Sequence, residues 1–351
     1  MSAEEGAHAA AAAASAAAAR AAPARHAAPH LYPAERAAAP MAACVVGASG
    51  FLGSHVVARL LAGGHTVHAT TRNLTDARAA HLRALPGAAE RLRVFEADAA
   101  AAGALDAAAA GCRALFLCAG PVAMQVTKAE AHEALVAPYL ALTEAALGAA
   151  TAAGVEVVVY TSSVAACTAG NEERGRGHVM TEADWAINVC FVAAAGFYCW
   201  RRCRRRCWLC GLTASLIRPP ALSSPPFLSS PQAAPDYLAF NYAKKVAEQR
   251  AWALHAAQAG PRRWRLAALL PSLMLGPPVG PTASQSAAFC ADVLAGKFVR
   301  AMPPLGFCVV DVRDVAAAAA LAAALPLASG RFLLSESSVN VIDLIKAVGF
   351  F

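Results

Sequence analysis

The chain has 351 residues, 58% of them hydrophobic, with a formal net charge of +7 and eleven cysteines. That length makes one large domain or two modest ones, and the apolar fraction, swollen by alanine, still suffices for a sizeable core. Six arginines (Arg201, Arg202, Arg204, Arg205, Arg206 and Arg218) lie within 189–235, a segment without an acid, so its removal takes +7 to +1 and excludes a basic surface for nucleic-acid phosphates on the rest.

Composition divides the chain into four stretches. Residues 1–40 are an Ala-rich low-complexity leader. They read as a transit peptide, as a disordered extension, or as sequence upstream of a start at Met41. The first places the protein in an organelle and the others leave it cytoplasmic. Residues 41–188 and 236–351 have ordinary α/β texture, and 189–235 has neither strand alternation nor a helical stripe. No apolar run is read as reaching the ~18–20 residues of a membrane span. The nearest is 186–200, so neither a membrane nor nucleic acid is expected as a partner.

The stretch from Cys44 to Asn73, CVVGASGFLGSHVVARLLAGGHTVHATTRN, reads as strand, glycine turn, helix and strand. AACVV is short, apolar and β-branched at its end, as a buried parallel strand should be. Gly47, Gly50 and Gly53 follow at G-x-x-G-x-x-G spacing. The first allows the tight turn, and the second leaves room for a pyrophosphate. The third lets the new helix pack on the sheet, its N–H groups aimed at the phosphates. Ser49, Phe51 and Leu52 complete this turn. The helix is predicted over about 51–61, ended by Gly63-Gly64, and a second strand over 66–70.

The end of that second strand discriminates between cofactors. An NAD site carries Asp or Glu there for the ribose hydroxyls. No carboxylate occurs from Gly53 through Thr75, whereas Arg72 has the charge and fork geometry for a 2′-phosphate. The expected cofactor is NADP(H); the alternative for Arg72 is a solvated surface arginine.

Alternation then continues. Strands are predicted at 91–96, 114–118 and 155–160, and helices at 104–110 and 129–153. This implies a doubly wound parallel sheet with ligands at the strand carboxyl ends, where Asp98, Gly120 and Ser163 fall. Within 189–235, Cys199, Cys203, Cys207 and Cys210 match zinc ligands in number, but the spacing is wrong and no histidine follows, so no metal site is expected. The segment reads best as translated non-coding sequence whose removal the fold tolerates, an unstructured loop of this length being foreign to a compact domain. Cys190 is the fifth cysteine of this segment, and the other six of the chain are scattered singly, as buried thiols in a reducing compartment are.

The glycine turn with the ATTR after it, GCRALFLCAGP, VYTSSVA, KKVAEQRAW, PSLMLGP and VVDVRDVA together resemble the extended short-chain dehydrogenase/reductases. The nearest branch is that of dihydroflavonol 4-reductases and cinnamoyl-CoA reductases. The match covers about 42–188 and 236–349. It implies a Rossmann fold with a small C-terminal lobe from about 271–306 and 326–351, a monomeric or homodimeric state, and NADPH-dependent reduction of a small ketone or aldehyde. The family works through a Ser–Tyr–Lys set. Ser163 matches its serine and Lys244 its lysine. Asp98 and Ala99 would border the adenine, Cys118, Ala119 and Gly120 would line the cofactor, and Pro271 would sit beside the nicotinamide. The tyrosine four residues before the lysine is replaced by Phe240. Tyr242 is the nearest substitute but lies two residues from Lys244, on the other side of a regular helix. The resemblance also implies further helices beyond Phe351. Alternatives are a catalytically impaired NADP-binding protein, which Phe240 favours, and a sugar-nucleotide epimerase or hydroxysteroid dehydrogenase.

Overall fold

In the computed structural model, residues 31–75, 77–121, 132–168, 179–185, 239–260, 263–281, 284–294 and 306–340 are described. They fall within one unit, Leu31–Phe351. The atypical segment 189–235 with its five cysteines, the first 30 residues and residues 341–351, with the helix predicted over 341–348, lie outside the described residues.

The elements in chain order are α1 (Pro33–Ala37), β1 (Ala42–Val46), α2 (Phe51–Ala62), β2 (Thr66–Thr71), α3 (Ala77–Arg83), α4 (Ala88–Arg91), β3 (Leu92–Glu96), α5 (Asp106–Ala109) and β4 (Ala114–Leu117). A π-helical turn, His132–Val136, runs into α6 (Ala137–Ala153), followed by β5 (Val157–Thr161), α7 (Ala165–Thr168) and α8 (Ala239–Ala256). The rest comprises β6 (Arg265–Pro271), β7 (Leu273–Leu275), α9 (Gln285–Leu294), β8 (Gly306–Asp311), α10 (Val312–Ala324), β9 (Gly330–Leu334) and β10 (Ser337–Asn340).

Seven strands form one parallel sheet in the order β3-β2-β1-β4-β5-β6-β9, the doubly wound Rossmann architecture. The order reverses between β1 and β4, which opens a crevice at their carboxyl ends. Successive residues of each strand face opposite layers. Ala43, Val45, Ala114 and Phe116 pack under Val56, Leu60, Val315 and Ala319 of α2 and α10. Cys44, Val46, Leu115 and Leu117 pack under Leu142, Leu147 and Ala150 of α6. Both faces are covered, so these strands read as continuous apolar runs.

Three strands form a second sheet in the order β10-β8-β7, β8 running parallel to β7 and antiparallel to β10. β9, expected in the small C-terminal lobe, instead pairs with β6 in the main sheet. The ordered unit also reaches back into the Ala-rich leader. Glu35 of α1 is 3% exposed and forks onto Arg59 of α2 at 2.5 and 2.6 Å.

One sequence expectation is corrected. The helical run His132–Ala153 is long and apolar enough, by length and composition, to cross a membrane, because alanine and leucine dilute its few charges. Half of its most apolar stretch is buried, where Leu142, Ala146, Leu147 and Ala150 pack into the core.

Candidate active site

The glycine turn is built as its spacing implies. Gly47 has φ +79°, and a Cβ there would sit 2.8 Å from Ala119, at the end of β4. A Cβ on Gly53 would run into the Gly47 carbonyl, so α2 could not pack so close to β1 with any other residue. At Gly50 an added Cβ would meet only the Gly47 oxygen, at 3.2 Å; its other side is open. Ser54 fastens the turn by donating to the Ala48 and Gly50 carbonyls at 3.1 and 2.8 Å. From β2, Thr70 accepts the Gly47 amide on its hydroxyl at 3.3 Å and the Ala48 amide on its carbonyl at 3.1 Å. Ser49 and Thr71 pair through their hydroxyls at 3.4 Å. Phe51 and Leu52 open α2, and Arg72 stands exposed at the carboxyl end of β2. Asp98 and Ala99 lie just past β3, Asp98 accepting the Ala100 amide at 3.2 Å. Cys118, Ala119 and Gly120, all half-buried, follow β4.

The second half of the site gathers at the ends of β5 and β6. Ser163 follows Ser162 out of β5, and its hydroxyl accepts the Ala165 amide at 3.1 Å at the start of α7. The Val164 amide donates to the Pro271 carbonyl at 3.1 Å, which holds Ser163 and Pro271 in neighbouring turns. Lys244 of α8 is buried, and its Nζ donates to the Thr161 and Ser162 carbonyls at 3.4 Å each. Burial lowers its pKa to about 8, against the opposing pull of Glu248. Thus Ser163, Lys244 and Pro271 converge at one sheet edge with the glycine turn.

No tyrosine stands where the resemblance requires one. Phe240 presents its ring 5.9 Å from Lys244 Nζ. Tyr242 is half-buried and packs with Phe240 against the cluster of Leu135, Val136 and Tyr139. Spacing alone had separated Tyr242 from the lysine, and the cation contacts of Lys244 are with Tyr139 and Phe240.

Two features escaped sequence reasoning. One is Tyr139, whose ring lies 4.7 Å from Lys244 Nζ. In sequence it is one more apolar position of a long helix, with nothing to single it out. The other is a buried charge network behind Ser163. Glu248, fully buried, accepts from Ser162 Oγ at 2.6 Å, Arg331 Nε at 2.6 Å and Trp252 Nε1 at 3.3 Å. Arg331 also donates to the Glu182 and Asp184 carbonyls at 2.6 Å and lies 3.8 Å from the Trp185 ring centroid. A lone arginine in the otherwise apolar strand GRFLL was its one available signal.

Residues 43–190 match the model of the NAD dependent epimerase/dehydratase family. The chain is 33% identical over 296 residues to cinnamoyl-CoA reductase 1 of Arabidopsis thaliana, covering 84% of this chain and 70% of that protein. It belongs to the extended short-chain dehydrogenase/reductases. Within them it falls on the branch of cinnamoyl-CoA and dihydroflavonol reductases. Cinnamoyl-CoA reductase 1 of Oryza sativa subsp. japonica is 31% identical over 303 residues, 86% of this chain and 73% of the relative. Among solved structures, yeast methylglyoxal/isovaleraldehyde reductase Gre2, complexed with NADPH, shares the fold with a TM-score of 0.65. Its identity is 21%, and the match covers 87% of this chain and 80% of that one.

A nicotinamide dinucleotide is the cofactor class of this family, and the cradle fits it. The open side of Gly50 leaves space for a pyrophosphate at the α2 N-terminus. At the other end the Ser272 hydroxyl, next to Pro271, is enclosed and has no hydrogen-bond partner among the described residues. A buried orphan of this kind costs free energy unless a bound polar group satisfies it.

Proposed function

We propose that the chain is an NADPH-dependent reductase that converts a small ketone or aldehyde into an alcohol. The observation that carries this reading is the buried Lys244. It is held by the Thr161 and Ser162 carbonyls next to Ser163, on the same sheet edge as a glycine turn shaped for a pyrophosphate.

In this reading Gly47, Ser49, Gly50, Phe51, Leu52 and Gly53 wrap the pyrophosphate, and Arg72 pairs with the 2′-phosphate. Asp98 and Ala99 border the adenine. Cys118, Ala119 and Gly120 line the middle of the cofactor, and Pro271 and Ser272 its nicotinamide end. The bound dihydronicotinamide supplies a hydride. Lys244 holds the nicotinamide ribose, and its charge stabilises negative charge developing nearby. Ser163 donates a hydrogen bond to the substrate oxygen. The branch relatives named cinnamoyl-CoA reductase support a carbonyl substrate. A second reading, an NADP-binding protein that does not turn over, is favoured by Phe240.

Cofactor choice tests the first half of the proposal. A charge-assisted contact between Arg72 and the 2′-phosphate is worth ~1.5–3 kcal/mol, so NADPH should bind more than tenfold tighter than NADH. Arg72→Ala should remove that preference in a fluorescence titration. Equal affinities in the unaltered chain would refute it.

Turnover should depend on pH through Lys244. Its cation is the working form, so the rate is retained below its pKa of about 8 and declines as pH rises through it. The Glu248 charge holds that pKa up, so Glu248→Gln should move the alkaline limb to lower pH. A pH–rate profile flat from pH 7 to about 10 would exclude Lys244 as the titrating group.

A further inference from the structure

With phenylalanine at position 240, a proton must reach the new alkoxide from elsewhere. We infer that Tyr139 is the proton donor of the unaltered chain, taking the part that Phe240 cannot play. This rests on the reductase reading above and adds a residue to it.

Tyr139 is placed by topology. It lies in the first turn of α6, the helix that follows β4, and such a helix begins at the carboxyl edge of the sheet. Its hydroxyl and Cε1 come within 3.0 Å of where a Cβ on Gly120 would sit, so the hydroxyl lies at the end of β4, against the cofactor-lining turn. The same ring meets Phe240 edge to face, with centroids 6.5 Å apart, and faces Lys244 Nζ at 4.7 Å. Tyr139 therefore touches all three groups that bound the reacting position: Gly120, Phe240 and Lys244.

Its hydroxyl is also available. It makes no hydrogen bond among the described residues, and it is not one of their fully enclosed unsatisfied side-chain atoms. The other buried tyrosine nearby, Tyr160, is engaged with Thr143 at 3.2 Å. Burial, with a smaller contribution from Tyr160, raises the Tyr139 pKa, so it is a neutral phenol with a proton to give at physiological pH. In the step, the carbonyl carbon gains a hydride from the dihydronicotinamide and the C=O π pair moves to oxygen. That oxygen takes the Tyr139 proton, and the phenolate recovers one from solvent. The nicotinamide leaves oxidised and the substrate is an alcohol.

The experiment compares the full chain with Tyr139→Phe, Phe240→Tyr and the double variant. It uses cinnamaldehyde and a flavonoid-like ketone as probes, and measures NADPH affinity by fluorescence and melting temperature alongside turnover. Tyr139→Phe is expected to bind NADPH within about twofold of the unaltered chain and to melt alike, while kcat falls by about 10- to 100-fold. In the Phe240→Tyr background the same change should cost little, because the restored phenol bypasses Tyr139. An unchanged kcat in Tyr139→Phe would overturn the inference, as would a loss confined to NADPH affinity, which would make the ring a cofactor wall. If the unaltered chain is inert while Phe240→Tyr turns over, Tyr139 gives no proton, yet the reductase reading stands. If both bind NADPH and neither turns over, both fail.

Discussion

Replacing Phe240 by tyrosine should raise kcat for carbonyl reduction by about 10- to 100-fold above the rate that Tyr139 supports, because a positioned general acid contributes about 10²–10⁴-fold in all. Phe240 lies one helical turn before Lys244, and its ring already faces the ammonium at 5.9 Å. A para-hydroxyl adds one atom to a ring that is only half-buried, so overpacking is not expected to offset the gain. The buried lysine is in place to stabilise the phenolate. The check is initial-rate NADPH oxidation with ketone and aldehyde probes at saturating cofactor. An unaltered chain already at full rate, with activity abolished by Tyr242→Phe, would place the acid on Tyr242 instead.

Glu248→Ala should destabilise the fold by about 3–5 kcal/mol, the cost of leaving one member of a buried ion pair alone. Glu248 is fully buried and the Arg331 side chain is 8% exposed, so solvent screening gives little relief. The substitution strands the guanidinium and deprives Ser162 Oγ and Trp252 Nε1 of their acceptor. Glu248→Gln keeps hydrogen-bonding capacity and should cost less. Urea unfolding with a common m-value measures both; a loss below about 1 kcal/mol for the alanine variant would show that the pair is dispensable. Activity should fall too, because Ser162 offers its carbonyl to Lys244 and precedes Ser163.

Local signals explain how much of this was readable in advance. The β1–turn–α2–β2 unit appears in the sequence because each part has its own signature: an apolar run, glycines at fixed offsets, a helix stop, a second apolar run. Its bounds in the structure differ from expectation by only a residue. Doubly wound topology follows from alternation, and Asp98, Gly120 and Ser163 fall just past strand ends because every parallel strand delivers its carboxyl end to one edge. Tertiary partners were not readable. Glu35 sits in an alanine-rich stretch and acquires meaning only through Arg59, 24 positions later. Arg331 finds Glu248 across 83 positions. Tyr139 reaches Lys244 because α6 and α8 pack side by side, which no local periodicity records. The small sheet of β7, β8 and β10 joins strands too short, and too far apart in the chain, to announce themselves.

Isotope transfer is the most direct test of the central claim. NADPH carrying deuterium at the reactive nicotinamide C4 position should be incubated with the chain, and with its Phe240→Tyr variant, in the presence of an aromatic aldehyde or a flavonoid-like ketone. The alcohol should carry one deuterium on its carbinol carbon, more rapidly with the variant, and Lys244→Met should abolish the transfer. Tight NADPH binding by both proteins with no deuterated alcohol from any carbonyl probe would contradict the reductase account.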